Sequence, residues 1–172
     1  MVAEKEVVRL ARSLPITDPF DIEALVDEVA RIVGTPVELA PYPERTVTEA
    51  RRLGESLPAA LCVATANRFH VLHRVDTTAD HQRHSVLHEL GHLLCRHLVV
   101  TPDATASDGP ADEAQVRAML RSTYDDDQEH AAEAFAYEFE RRLGPVRVSG
   151  QRSAEAPGLG EVVDRYTSYL EG

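Results

Sequence analysis

The sequence predicts a single α+β domain in which a small antiparallel sheet packs against a bundle of helices. Most apolar residues recur at helical spacing, two short apolar runs near the middle of the chain alternate as strands do, and 172 residues are enough for one hydrophobic core. Apolar residues make up 43% and charged residues 27%, as in ordinary globular proteins, which argues against disorder. We therefore predict one domain over 1–172, with its core at about 20–142.

The N-terminal third is predicted to be mainly helical. Residues 4–13 place apolar side chains at helical spacing. A second helix is expected to open with the aspartate and proline at 18–19 and to end at Gly34. Residues 35–39 suit a short edge strand, because a proline is tolerated only at an edge or at a strand start. A further helix is predicted at 47–53.

The middle of the chain predicts a hairpin followed by a long helix. The runs 60–65 and 69–75 have the composition and alternation of strands, and 66–68 suit the turn between them. An apolar helix is expected over about 80–99.

The C-terminal part is predicted to be helical with irregular connections. Residues 101–110 are small and polar and predict a loop. Two helices are expected at 111–122 and 126–142. A linker at 149–158 and an amphipathic helix at 159–170 complete the prediction.

Charge and cysteine content narrow the function. Acidic residues outnumber basic ones by 29 to 18, a formal net charge of −11. Such a chain lacks the basic surface that binds nucleic acids and anionic membranes, so we expect neither as a direct partner. A basic protein is favoured as a partner by its opposite charge. Cys62 and Cys95 form no C-x-x-C pair and are predicted to be small buried side chains. With no apolar membrane span and no signal peptide, the sequence predicts a cytoplasmic protein.

Residues 88–92 read H-E-L-G-H and carry the predicted chemistry. His88 and His92 are four residues apart on a predicted helix, so both imidazoles project from one face and can bind one metal ion. Glu89 lies beside them, where its carboxylate can act as general base on a metal-bound water. Gly91 leaves backbone accessible at the centre of the segment, which indicates close packing of another element.

A catalytic zinc site needs a third protein ligand and one open position. The predicted helix at 126–142 offers Glu129 and Glu133 on one face, among alanines that allow another helix to approach closely. We assign Glu129 to the metal and Glu133 to a hydrogen bond with the far nitrogen of a ligating histidine. The reverse assignment of the two glutamates is the alternative. We expect Zn²⁺, with Mn²⁺ as the other candidate.

Four other side chains are candidates for a part in the site. His84 shares the face of the two ligand histidines and is a candidate to reach the substrate cleft. His97 is expected off that face, as a cation at the C-terminus of the helix. Tyr124 and Tyr137 are the candidates to donate a hydrogen bond to a developing oxyanion, and the sequence does not choose between them.

Two segments resemble the ImmA/IrrE family of bacterial metallopeptidases. The first is H-S-V-L-H-E-L-G-H-L-L-C-R-H at 84–97, and the second is E-H-A-A-E-A-F-A at 129–136. The second is similar to the family's E-x-x-A-N-x-F-A helix, with Glu133 where asparagine is usual. The resemblance implies a gluzincin-like fold, a zinc site that includes Glu129, and cleavage of a partner protein, typically a helix-turn-helix transcriptional regulator.

The sequence therefore predicts a zinc-dependent endopeptidase with Glu89 as general base. A peptide substrate is expected to add as a strand to an edge of the 60–75 hairpin. Two alternatives stay open. One is a regulatory binding module that contains metal and holds or senses a partner protein without cutting it, and the other is a zinc hydrolase of a non-peptide substrate. The intact Glu89 favours the endopeptidase, because a purely structural zinc site has no use for a general base.

Overall fold

A computed structural model shows an α+β architecture and describes residues 4–65, 67–97 and 124–144. The described part contains five helices and one sheet of three strands. In chain order the elements are α1 (Glu4–Ser13), α2 (Ile22–Val33), β1 (Val37–Pro41), α3 (Glu44–Leu53), β2 (Ala60–Ala64), β3 (Phe69–His73), α4 (Ala79–Leu94) and α5 (Asp126–Leu143). The predicted loop at 101–110, the helices at 111–122 and 159–170 and the linker at 149–158 lie outside the described residues.

The predicted sheet direction is wrong in one respect, because the sheet is mixed. β2 and β3 pair antiparallel, as the hairpin prediction requires, with Cys62 opposite Val71. β1 is the predicted edge strand but runs parallel to β3, with Leu39 opposite Val71. The strand order is β1-β3-β2, so β3 is central. α3 and β2 separate β1 from β3 along the chain, so no tight turn forces β1 to run antiparallel to β3.

Three helix ends differ from the predicted ones. α2 begins after Asp21, whose side chain accepts a hydrogen bond from the Glu23 N–H, so the proposed cap at 18–19 is wrong. α3 begins at Glu44, three residues before the predicted start. α4 ends at Leu94 rather than near 99, and the chain turns at Arg96, which has a φ of 57°.

The main core lies between the sheet and helices α1, α2, α4 and α5. Each of these elements contributes side chains that are almost fully buried, among them Val7, Val29, Val71, Leu87 and Phe135. A smaller cluster on the other face of the sheet packs beneath α3 and includes Tyr42, Leu61 and Val63. None of the helices in the described residues is long and apolar enough to cross a membrane.

Candidate metal centre

The two histidines of the H-E-L-G-H segment lie on the face of α4 that meets α5. Their Nε2 atoms are 3.0 Å apart, and the rings are 4.7 Å apart between centroids. His92 is fully buried and His88 is partly exposed. Helical spacing alone accounts for this arrangement, because residues four apart lie one above the other on a helix.

α5 supplies the third candidate ligand. The Glu129 carboxylate places Oε2 3.3 Å from His88 Nε2 and Oε1 3.5 Å from His92 Nε2. Ligand atoms arranged tetrahedrally at zinc distances of about 2.0–2.1 Å are themselves about 3.3 Å apart. The three residues therefore form a cluster that could hold one metal ion and leaves a fourth position for another ligand.

A close contact at Gly91 allows α5 to approach α4. A Cβ atom built on Gly91 would lie 3.1 Å from both Cα and O of Ala132 and 3.2 Å from Cβ of Phe135. Two of these neighbours are backbone atoms, so a side chain at this position would push α5 away. The predicted close packing at Gly91 is confirmed, and this packing brings Glu129 within reach of α4.

Glu89 points from α4 to the outer edge of the sheet. Its Oε2 accepts a hydrogen bond of 2.9 Å from the backbone N–H of Cys62 on β2. The residue is 7% exposed, and burial raises the pKa of its carboxyl group to about 7, with the Cys62 N–H and His88 acting in the opposite direction. A carboxyl group with this pKa can accept and return a proton near neutral pH.

Glu133 lies one turn after Glu129 and contacts the other nitrogen of His88. Its Oε2 is 3.4 Å from His88 Nδ1 and 3.2 Å from His84 Nε2. His84 Nδ1 is in turn 3.2 Å from Glu140. Hydrogen bonds to Glu133 and then Glu140 raise the pKa of His84 to about 9, so His84 is a cation that helps to hold Glu133.

The two glutamates of α5 therefore face different nitrogen atoms of the histidines. Glu129 faces the Nε2 atoms of both histidines, while Glu133 faces the Nδ1 atom of His88. Glu133 stands where an asparagine was expected from the family resemblance, and its charge is balanced by the His84 cation. His84 itself meets two carboxylates of α5.

His92 has two neighbours that the spacing argument did not select. Tyr124 stacks on its ring, with centroids 3.7 Å apart and an interplanar angle of 13°. His97 faces its Nδ1 atom at 3.2 Å. Burial first, and then the nearby His88 and His97, lower the pKa of His92 to about 3, so His92 keeps its lone pair over the physiological pH range.

Tyr124 rather than Tyr137 lies at the cluster. The Tyr124 hydroxyl is buried and has no hydrogen-bond partner among the described residues, and burial and the nearby Glu89 raise its pKa. Tyr137 is 62% exposed. On α5, Phe135 turns into the core, whereas Tyr137, two residues later, faces solvent. Sequence spacing could not choose between the tyrosines, since Tyr124 precedes the helix.

His97 was wrongly expected to be an outlying cation at the helix terminus. It is 8% exposed, and burial lowers its pKa despite the nearby carboxylates of Asp125 and Glu129. The prediction assumed that α4 continued past this point. Because the helix ends at Leu94 and the chain reverses at Arg96, His97 returns towards His92. No local signal marks this turn, since arginine rarely adopts a positive φ.

A cavity of about 310 Å³ lies at the other end of the sheet, between α3 and the residues after β3. Its lining includes Tyr42, Val47, Leu57 and His73. None of the described residues around it belongs to the metal cluster. The candidate ligands of a metal ion therefore lie at the α4–α5 contact and not in this cavity.

Comparison of the chain with protein-family models, with curated proteins and with solved structures finds no match in any of the three. The resemblance to a metallopeptidase family therefore depends only on the two segments quoted above. The geometry at the α4–α5 contact is a separate observation, and it supports a metal site without reference to any relative.

Proposed function

We propose that this protein is a zinc-dependent endopeptidase that hydrolyses a peptide bond in one specific protein, a helix-turn-helix transcriptional regulator. The observation that carries the proposal is the position of Glu89. This buried carboxylate adjoins His88 in the chain, beside a three-residue cluster that could hold a metal ion with an open position. A site that only bound metal for structural reasons would have no use for such a base.

The residues of the cluster fit zinc better than a harder cation. Two imidazole nitrogens and one carboxylate are a common ligand set of catalytic zinc, while Mg²⁺ and Ca²⁺ prefer oxygen ligands only. When bound, zinc would supply Lewis-acid chemistry, lowering the pKa of a water molecule to about 7 and polarising the scissile carbonyl. Mn²⁺ is the second candidate, since it also accepts nitrogen and oxygen ligands.

Glu89 has the properties of the proton carrier in this reaction. With a pKa of about 7, its carboxylate can take a proton from the attacking water and deliver it to the leaving amine. The hydrogen bond from the Cys62 N–H holds Oε2 of Glu89 in place and leaves Oε1 to accept the proton. We assign Tyr124 to the developing oxyanion, because its buried hydroxyl has no hydrogen-bond partner among the residues that the structure describes.

The peptide is proposed to lie along β2. The N–H of Thr65 donates to Arg68 O, and the N–H of Arg74 donates to Ala59 O. The odd-numbered residues of β2 therefore direct their backbone N–H and C=O groups towards β3. The alternate residues, Ala60, Cys62 and Ala64, then direct their backbone groups away from β3. The Cys62 N–H is already bonded to Glu89, so an added strand would pair with the backbone groups of Ala60 and Ala64 and would pass beside the proposed general base. Within the described residues β1 covers the other side of β3, so β2 is the remaining edge of the hairpin, and its five residues are buried in this structure.

Charge supports a DNA-binding protein as the substrate. The chain carries a formal net charge of −11, and a regulator that neutralises phosphates carries a basic surface. Attraction between opposite charges accelerates the encounter and weakens with salt. The choice of a helix-turn-helix protein comes from the family resemblance.

The test is to incubate the protein with the regulator encoded next to its gene, with Zn²⁺ or Mn²⁺, and to follow cleavage by electrophoresis and mass spectrometry. We expect cleavage by the wild type and a loss of rate of at least about 100-fold in Glu89→Gln, because general-base catalysis contributes about 10²–10⁴-fold. Tyr124→Phe should lower kcat by about 10²-fold with little change in KM.

Metal content serves as the control for these variants. Glu89→Gln and Tyr124→Phe should retain bound zinc, whereas His88→Ala should lose it. An intact regulator in a stable complex with the wild type would instead identify a binding module. Cleavage by Glu89→Gln at the wild-type rate would refute the role of Glu89.

A further inference from the structure

His97 lies against the side of His92 that faces away from the metal cluster. The two Nδ1 atoms are 3.2 Å apart, and the rings meet edge to face, 5.4 Å apart between centroids. The backbone N–H of His97 also donates to the carbonyl oxygen of His92 at 3.0 Å. The left-handed turn at Arg96 is what brings the two rings together.

The position of His92 determines which nitrogen binds metal. Its Nε2 faces the Nε2 of His88 at 3.0 Å and Oε1 of Glu129 at 3.5 Å, so Nε2 is the coordinating atom. A neutral imidazole that binds metal through Nε2 carries its proton on Nδ1. The atom that faces this proton is Nδ1 of His97, which must then present a lone pair.

We propose that His97 is a positioning residue for His92. It accepts the Nδ1–H of His92, and this hydrogen bond fixes both the tautomer and the ring orientation that present Nε2 to the ion. The inference rests on the proposed metal site and adds a residue to it. His97 is not itself a ligand, because its Nδ1 faces the far side of His92.

The two ligand histidines are thus held by different partners. Glu133 contacts Nδ1 of His88 and is about half exposed, with 48% of its side chain accessible. His97 contacts Nδ1 of His92 and is buried, with 8% exposed. Water can replace the partner of His88 more easily than that of His92. We therefore expect His97 to matter for metal affinity at least as much as Glu133 does.

The experiment compares His97→Leu with His97→Asn in zinc affinity, measured by competition with a chromogenic chelator. Asparagine places its Oδ1 close to the position of Nδ1 and keeps an acceptor, while leucine fills the space without one. We expect leucine to weaken zinc binding by about 10–100-fold and asparagine to stay within about threefold of the wild type. Equal losses in both variants, or no loss in either, would overturn the proposal.

A measurement on the unaltered protein makes the test independent of how the variants fold. In zinc-loaded protein with ¹⁵N-labelled histidine, NMR should show His92 protonated at Nδ1 and coordinated through Nε2. The opposite tautomer would overturn the role of His97. His88→Ala, in the same chelator competition, tests the metal site itself. If that variant binds zinc as the wild type does, the proposed site is wrong, whatever His97 does.

Discussion

α5 presents carboxylates to two other helices, α4 and α1, and the two contacts have different chemistry. Towards α4, Glu129 and Glu133 meet the imidazoles of His88 and His92. Towards α1, Glu138 meets the guanidinium of Arg12 at 2.8 Å, and it also bonds to Arg141 on its own helix. The same helix therefore presents carboxylates to partners that can lose a proton on one side and to permanent cations on the other.

The difference shows why only one of these contacts is a candidate metal site. An arginine carries donors and no lone pair, so the contact at Glu138 is complete as it stands. Hydrogen bonds from Arg141 and then Arg12 lower the pKa of Glu138 to about 2. At the α4 contact, two imidazole nitrogens and a carboxylate converge, and each of them can offer a lone pair to a bound cation.

The largest effect is expected from breaking the α4 contact at its ligand. Glu129→Gln replaces a carboxylate by a neutral amide, which is a poor zinc ligand, so zinc affinity should fall by at least about 100-fold. Glu138→Gln is the matched control on the same helix and should leave zinc affinity unchanged. Chelator competition measures both. Equal losses would mean that α5 merely needs its charges for folding.

Gly91→Val tests the packing that brings the two helices together. Its Cβ would meet backbone atoms of Ala132 at 3.1 Å, and the further methyl groups have no room. We expect the free energy of unfolding to fall by about 1–3 kcal/mol, with weaker zinc binding because Glu129 moves away. Gly91→Ala should cost less, since alanine favours the helix by about 1 kcal/mol. Urea denaturation of the metal-free variants provides the comparison, and an unchanged stability in Gly91→Val would refute the close contact.

Glu133→Leu should have an intermediate effect on the metal. It removes the partner of His88 Nδ1 but no ligand, so zinc affinity is expected to fall by about tenfold. Glu140→Gln is the control, because Glu140 contacts His84 and neither ligand histidine directly. The same chelator assay applies. A loss as large as that of Glu129→Gln would reverse the assignment of the two glutamates.

Glu138→Gln should have the smallest effect, and only on stability. We expect a loss of about 1 kcal/mol near pH 7, since both arginines are more than half exposed and water screens the pair. The pKa of Glu138 is lowered from 4.5 to about 2 by folding, so its contribution is present above the higher value. The difference between wild type and variant should shrink as the pH falls through this range. Denaturation at several pH values measures it, and a difference that grew towards low pH would contradict the assignment.

Local patterns predicted much of the fold and of the candidate site. α1 and the start of α5 follow their predicted bounds, because apolar spacing and the Asp125 cap are properties of neighbouring residues. The convergence of His88 and His92 follows from helical geometry in the same way. The direction of β1 and the start of α2 were predicted wrongly. The first depends on pairing with a strand distant in sequence, and at the second Asp21 caps the helix in place of Asp18.

By itself, the sequence determined that His88, Glu89 and His92 share about one turn of a helix, since a spacing of four residues needs no tertiary contact. Only the tertiary structure decided which glutamate faces the Nε2 atoms of both histidines and which faces Nδ1 of His88. It also decided that His97 belongs beside His92. These relations depend on the approach of α5 at Gly91 and on the turn at Arg96, which bring together atoms that the chain itself keeps apart.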